Sequence, residues 1–253
     1  MGGFGRCTLF ALALLVGGGC AGEDGETCEV PTNEISAVAL VVDSGWDIRA
    51  TIDFERGDRR GAGAPLRLCD TDVLTIDGED PIETDKASSV EYSLSLPADA
   101  ERSVRFTLVR QALGDRLDLD IELPPAFEIL APMDGDEVVL EQSPVVQWEP
   151  PLADGTMRMR VGEPLGGGQC LGWIDPDTGA PMPAPYEEPG GVQVDDDGEH
   201  GLTDLRLQGP EPCDLTLVLA RVVLGAYPAS LTSGGRVEGR AERYVDVRAV
   251  PAP

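Results

Sequence analysis

The nine residues from Trp46 to Phe54 alternate apolar and polar without a slip: Trp46, Ile48, Ala50, Ile52 and Phe54 are interleaved with Asp47, Arg49, Thr51 and Asp53. Side chains on a strand point to opposite faces in turn, so this spacing fits a strand with one face on a core and the other in water. The same period recurs at Val90, Tyr92, Leu94 and Leu96, at Val104, Phe106 and Leu108, and at Leu117, Leu119, Ile121 and Leu123. No window of helical length carries a 3.6-residue period, and 31 glycines with 21 prolines interrupt the chain too often for long helices. The expected fold is all-β, with two tandem β-sandwiches following an N-terminal export segment.

Residues 1–19 read as a signal peptide. Arg6 is the one charge ahead of an apolar run from Leu9 to Val16, and eight such residues fall far short of the roughly 20 that cross a bilayer. The junction Gly18-Gly19-Cys20 resembles the lipobox of bacterial lipoproteins, although Gly17 stands where that box has Leu or Val. The resemblance implies that Cys20 is diacylated, becomes the new N-terminus and holds the protein to the membrane. Ordinary cleavage after Ala21 is the alternative, and it would release the body. Ala21 after Cys20 points to outer-membrane sorting, with the body facing the periplasm or the exterior. Residues 20–28 read as the lipidated cysteine and a flexible tether, because Ala21 to Thr27 (AGEDGET) has nothing to bury. The whole resembles lipoproteins of high-GC Gram-negative bacteria such as myxobacteria, which implies an address and no activity.

The strand ending at Leu123 runs into Pro124-Pro125, and a new strand starts at Phe127. A proline pair stiffens such a joint, so residues 29–123 are read as the first sandwich and 127–250 as the second. From Phe127 the sequence FEILAPMDGDEVVLEQSPVVQWEPP resembles the opening strands of fibronectin type III and related immunoglobulin-like modules. Trp148-Glu149-Pro150-Pro151 carries the likeness. It implies that Trp148 plugs the second core, that Met157, Met159 and Val161 face one side of the next strand, and that a long core strand lies within Leu205–Val222.

Taking out Cys7 with the signal peptide and Cys20 with the lipid leaves Cys28, Cys69, Cys170 and Cys213. They form an even set without a C-x-x-C, and structural disulfides of an oxidising compartment are the economical reading. Three connectivities exist on paper. Locality favours Cys28 with Cys69 and Cys170 with Cys213, because either other pairing would tie the two halves together twice.

With 46 acidic residues against 19 Lys and Arg, the formal charge is −27. Such a body repels phosphate backbones and anionic lipid, which excludes nucleic acid as a main partner and leaves a protein or polysaccharide ligand. Asp43-Ser44-Gly45 and Asp177-Thr178-Gly179 resemble the D-[ST]-G loops of aspartic proteases, in which two carboxylates share a proton to activate water. Both triplets are also ordinary β-turn sequences, the favoured reading, and Pro176 and Pro181 interrupt the second. The one histidine, His200, follows the acidic run Asp195–Glu199, reads as part of a solvated turn, and has no G-x-S-x-G beside it. Asp175, Asp177, Asp195, Asp196, Asp197 and Glu199 carry oxygens of the kind calcium takes, but their spacing does not match an EF-hand loop. The expected function is a non-catalytic binding or structural role in the cell envelope, with no cofactor and no metal. A hydrolase built on Asp43 and Asp177, or a calcium-dependent adhesive module, is the alternative.

Overall fold

The computed structural model describes residues 25–57, 64–86, 89–153, 155–163, 170–175, 178, 180 and 191–252. The fold is all-β. Its strands in the first half are β1 Gly25–Glu26, β2 Ile35–Asp43, β3 Asp47–Arg56, β4 Ala64–Arg67, β5 Asp72–Ile76, β6 Ile82–Asp85, β7 Val90–Pro97, β8 Ser103–Arg110 and β9 Asp115–Glu122. The second half adds β10 Glu128–Ala131, β11 Glu137–Val138, β12 Val145–Glu149, β13 Thr156–Gly162, β14 Leu171–Trp173, β15 Val192–Asp195, β16 Glu199–Gly201, β17 Leu205–Leu207, β18 Cys213–Leu224 and β19 Arg236–Ala249. Alternation decides what each strand buries. In β9, Leu117, Leu119 and Ile121 are buried while Arg116, Asp118, Asp120 and Glu122 stay in water. In β3, Ile48, Ala50, Ile52 and Phe54 are at most 1% exposed, and full burial of each large side chain contributes about 1.5–3 kcal/mol.

Two clusters of buried side chains result. The first spans Val30 to Leu123 and takes in Leu231 and Val237; the second runs from Phe127 to Ala249 around Trp148, Met157, Met159 and Val161. A sheet of three strands, β5-β8-β9, covers the first cluster, and the small sheets β10-β12-β16 and β14-β17 cover the second. One large sheet backs both, in the order β1-β4-β3-β2-β19-β18-β13-β15, with β7 on β3, β6 on β7 and β11 on β19.

The strand that joins the halves is β19. It runs antiparallel to β18 from Glu238 to Ala249, and its first part, Arg236–Ala241, lies parallel to Val38–Asp43 of β2. Val237 therefore packs in the first cluster, and Ala241, Val245, Val247 and Ala249 pack in the second. Modules joined only at Pro124-Pro125 would not share a strand. Here the last strand is 14 residues long, enough to serve both cores. Where the connection between the halves crosses β19, the carbonyl oxygen of Glu122 lies only 2.1 Å from where a Cβ would stand on Gly239, so a residue with a side chain cannot sit there unless the backbone moves.

Cys28 bridges Cys69 and Cys170 bridges Cys213, with Cα atoms 5.9 and 6.0 Å apart. The tether reading of residues 20–28 is corrected at its end. Gly25–Glu26 pairs in parallel with Leu66–Arg67 of β4, and Thr27 is fully buried with its hydroxyl donating to Asp72 Oδ2 at 2.5 Å. Buried Arg110 holds the same segment by donating to the carbonyls of Thr27 and Val30. Composition hid this, because the partners of an acidic, small-residue stretch lie on other strands.

Candidate functional site

The turn from β2 to β3, Asp43 to Asp47, sits where the two halves meet. Its shape follows from short-range polar chemistry: the Ser44 amide donates to the Asp47 carbonyl at 3.0 Å and the Gly45 amide donates to Asp43 Oδ1 at 2.8 Å. Gly45 has φ +97, and the Arg243 guanidinium packs 3.1 Å from where its Cβ would be, so both backbone conformation and space call for glycine. Arg102 Nη1 donates to Asp43 Oδ2 at 2.6 Å and also reaches the Pro124 carbonyl, while Arg243 Nη1 donates to Asp43 Oδ1 at 3.3 Å. Asp43 thus links β2, the proline joint and β19.

Burial by itself raises the Asp43 pKa, but the bonds from Arg102 and Gly45 and the charge of Arg243 outweigh it and hold the carboxyl below its ordinary value. A depressed aspartate pKa stabilises the fold above the unfolded value near 4, and that contribution disappears as pH falls through the folded value. Asp43→Asn should therefore be less stable than the native chain at pH 7, with the gap closing on acidification below about pH 4. Urea melts across that range check this; a gap independent of pH would show that the two arginines do not act on the carboxylate.

On the inner side of the turn lies a cleft of about 460 Å³, lined by Gly45, Ala126, Phe127, Glu128, Glu149, Pro150 and Arg243. Three of its lining residues, Ala126, Phe127 and Pro150, are held by a buried charge network. Arg221, 2% exposed, donates to Asp196 at 2.6 and 2.9 Å, to the carbonyls of Pro125 and Ala126 at 3.1 and 3.2 Å, and to that of Pro150. The Trp148 indole donates to Asp196 Oδ1 at 2.8 Å. Arg221 and Arg243 also stack over the Phe127 ring at 5.0 and 5.6 Å from its centre. At the mouth, exposed Glu128 and Glu149 stand directly opposite each other on β10 and β12.

On the outer side, Trp46 and Tyr244 meet at 5.5 Å between ring centres with their planes 72° apart. They are 67% and 48% exposed. The sequence places Trp46 in phase with the buried face of β3, but β3 begins at Asp47 and the turn swings Trp46 out over β19. The available signal was Gly45 next to it, whose positive φ ends the strand phase one residue before the tryptophan.

Asp43 lies in the arginine clamp just described, and Asp177 lies outside the described residues, as does Cys20. Asp175 accepts the Thr178 amide at 3.2 Å in a local turn. Of the acidic run, Asp196 is engaged by Arg221 and Trp148, and Asp195, Asp196 and Asp197 together line a separate pocket with Leu152 and Thr156. The solvated-turn reading of His200 is corrected: it is a half-buried residue of β16 paired with Val146, and desolvation lowers its pKa despite Asp204 and Asp197. Two clusters of metal-type side chains occur among the described residues, Glu26 with Cys28 and Cys69, and Glu163 with Cys170 and Cys213. Each contains both sulfurs of a disulfide, so neither offers a thiolate. No family model matches the chain, and no curated protein matches its sequence.

Proposed function

We propose that this chain is a non-catalytic cell-envelope lipoprotein, attached to the outer membrane through Cys20, whose body recognises a ligand at the Asp43–Asp47 turn. The observation that carries the recognition part is the exposed Trp46–Tyr244 pair. Large aromatic side chains held in water on a rigid turn are the usual centres of binding energy in interfaces, and the core of a soluble protein is where they otherwise go. The address is supported by the lipobox-like junction and by two disulfides in the body. A hydrolase using Asp43 is disfavoured on chemical grounds, since a carboxylate between two guanidinium groups stays ionised instead of sharing a proton with a second acid.

Cys20→Ala should move the protein from the membrane fraction to the soluble one. Unchanged fractionation would defeat the lipid anchor. Pull-down from intact cells with native protein and with Trp46→Ala tests recognition: partners lost in the variant support the turn as the contact, and identical partner sets refute it.

A further inference from the structure

We propose that Trp46 and Tyr244 form a stacking corner for an uncharged saccharide, an inference that rests on the recognition reading above and names its ligand class.

Size is the first reason. At the exposures given, the two rings offer on the order of 250 Å² of aromatic surface. The half-buried Val218, paired with Tyr244 across β18 and β19, adds little. A stable protein partner covers about 800 Å² per side around an apolar centre, which this corner does not supply. One or two sugar rings need no more than it offers.

Charge is the second reason. The ionic groups beside the corner on the same sheet face balance: Glu242 pairs with Arg240 at 3.0 Å and lies 3.9 Å from Arg160, in the row of Val218 and Tyr244, and Asp246, which accepts the Thr216 hydroxyl at 2.6 Å, is the second carboxylate against those two arginines. The corner is close to neutral on a body of −27. A polyanion is repelled by the whole, and a polycation is drawn to the carboxylates elsewhere, so the ligand suited to this place is uncharged.

Geometry is the third. Two rings near perpendicular make a floor and a wall. A pyranose has a face of C–H groups that packs on one ring and a rim of hydroxyls that meets polar groups at the edge. Asp246, Glu242 and Arg160 keep acceptor lone pairs and N–H donors beyond those used between themselves. The two rings already pack against each other, so less side-chain freedom is lost on binding than for two isolated rings.

The protein carries its own reporter, because of its three tryptophans Trp148 and Trp173 are buried and only Trp46 faces water. The mature lipidated protein in detergent would be titrated with an array of neutral hexose and N-acetylhexosamine oligosaccharides while tryptophan emission is followed. The expected result is a blue shift with at least one neutral oligosaccharide, more than a tenfold loss of affinity in Trp46→Ala read by calorimetry, a smaller loss in Tyr244→Ala, and partial retention in Trp46→Phe. No binding across the array, or binding that Trp46→Ala leaves unchanged, overturns the saccharide. If the array is silent but Trp46→Ala still loses a protein partner in the pull-down, the ligand class is wrong and the recognition reading survives. If both are silent, the recognition reading fails as well.

Discussion

Arg221→Ala should destabilise the protein by about 3–5 kcal/mol, because it strands a buried carboxylate without its cation. Asp196 is fully buried, its remaining partner is the Trp148 indole, and the carbonyls of Pro125, Ala126 and Pro150 lose a donor at the same time. Against a net stability of roughly 5–15 kcal/mol, that is a large fraction. Removing both charges should do less harm: the double variant Arg221→Met, Asp196→Asn keeps volume and an acceptor for Trp148, and is expected to recover part of the loss. Urea unfolding of Arg221→Met, Asp196→Asn and the double closes the cycle, with Arg221→Ala measured beside them. A loss under 1 kcal/mol in Arg221→Ala would show that water reaches the pair and that the joint is looser than its distances imply.

Gly239→Val should cost about 3 kcal/mol or more, the upper range for forcing extra atoms into a packed interior. The Cβ would stand 2.1 Å from the Glu122 carbonyl oxygen and 3.3 Å from Ile121 Cγ2, and neither β9 nor β19 can yield without breaking a ladder. The weaker of the two is the six-residue parallel pairing of β19 with β2. Hydrogen exchange should therefore show lost protection at Val38 to Val42, with β8 and β12 still protected. Gly162→Ala, which meets nothing within 4 Å among the described residues, serves as the neutral control. Equal exchange in the native chain and Gly239→Val would mean that the crossing is not tight.

The strands β3, β7, β8 and β9 were legible because each has one wet face and one dry face, so its period survives in the sequence. β19 was not. Its outward face reads Arg236, Glu238, Arg240, Glu242, a pattern that suggests solvent, yet Glu238 is 1% exposed and paired with the arginines on either side. Asp196 misleads in the same way: it lies in an acidic run and is buried only because Arg221, on another strand, meets it. Local pattern cannot see a partner supplied by topology. Trp46 is the opposite error, an aromatic residue in phase with a core it does not enter. At the site, sequence drew attention to Asp43 as a β-turn residue with a protease-like alternative; the structure sets it between Arg102 and Arg243, and Trp46 in the same turn is the aromatic residue left exposed.

The shared strand also sets a timetable for the growing chain. β2 meets β3 within a few residues of synthesis, but its other edge stays open until β19 exists, and 200 residues separate Asp43 from its partner Arg243. During that interval Ile35–Asp43 (ISAVALVVD), apolar on both faces, is an uncapped edge of the sort that pairs with any neighbouring chain. The first half cannot complete its sheet ahead of the second. A chain so ordered depends, until its last strand arrives, on whatever shields that edge from its copies.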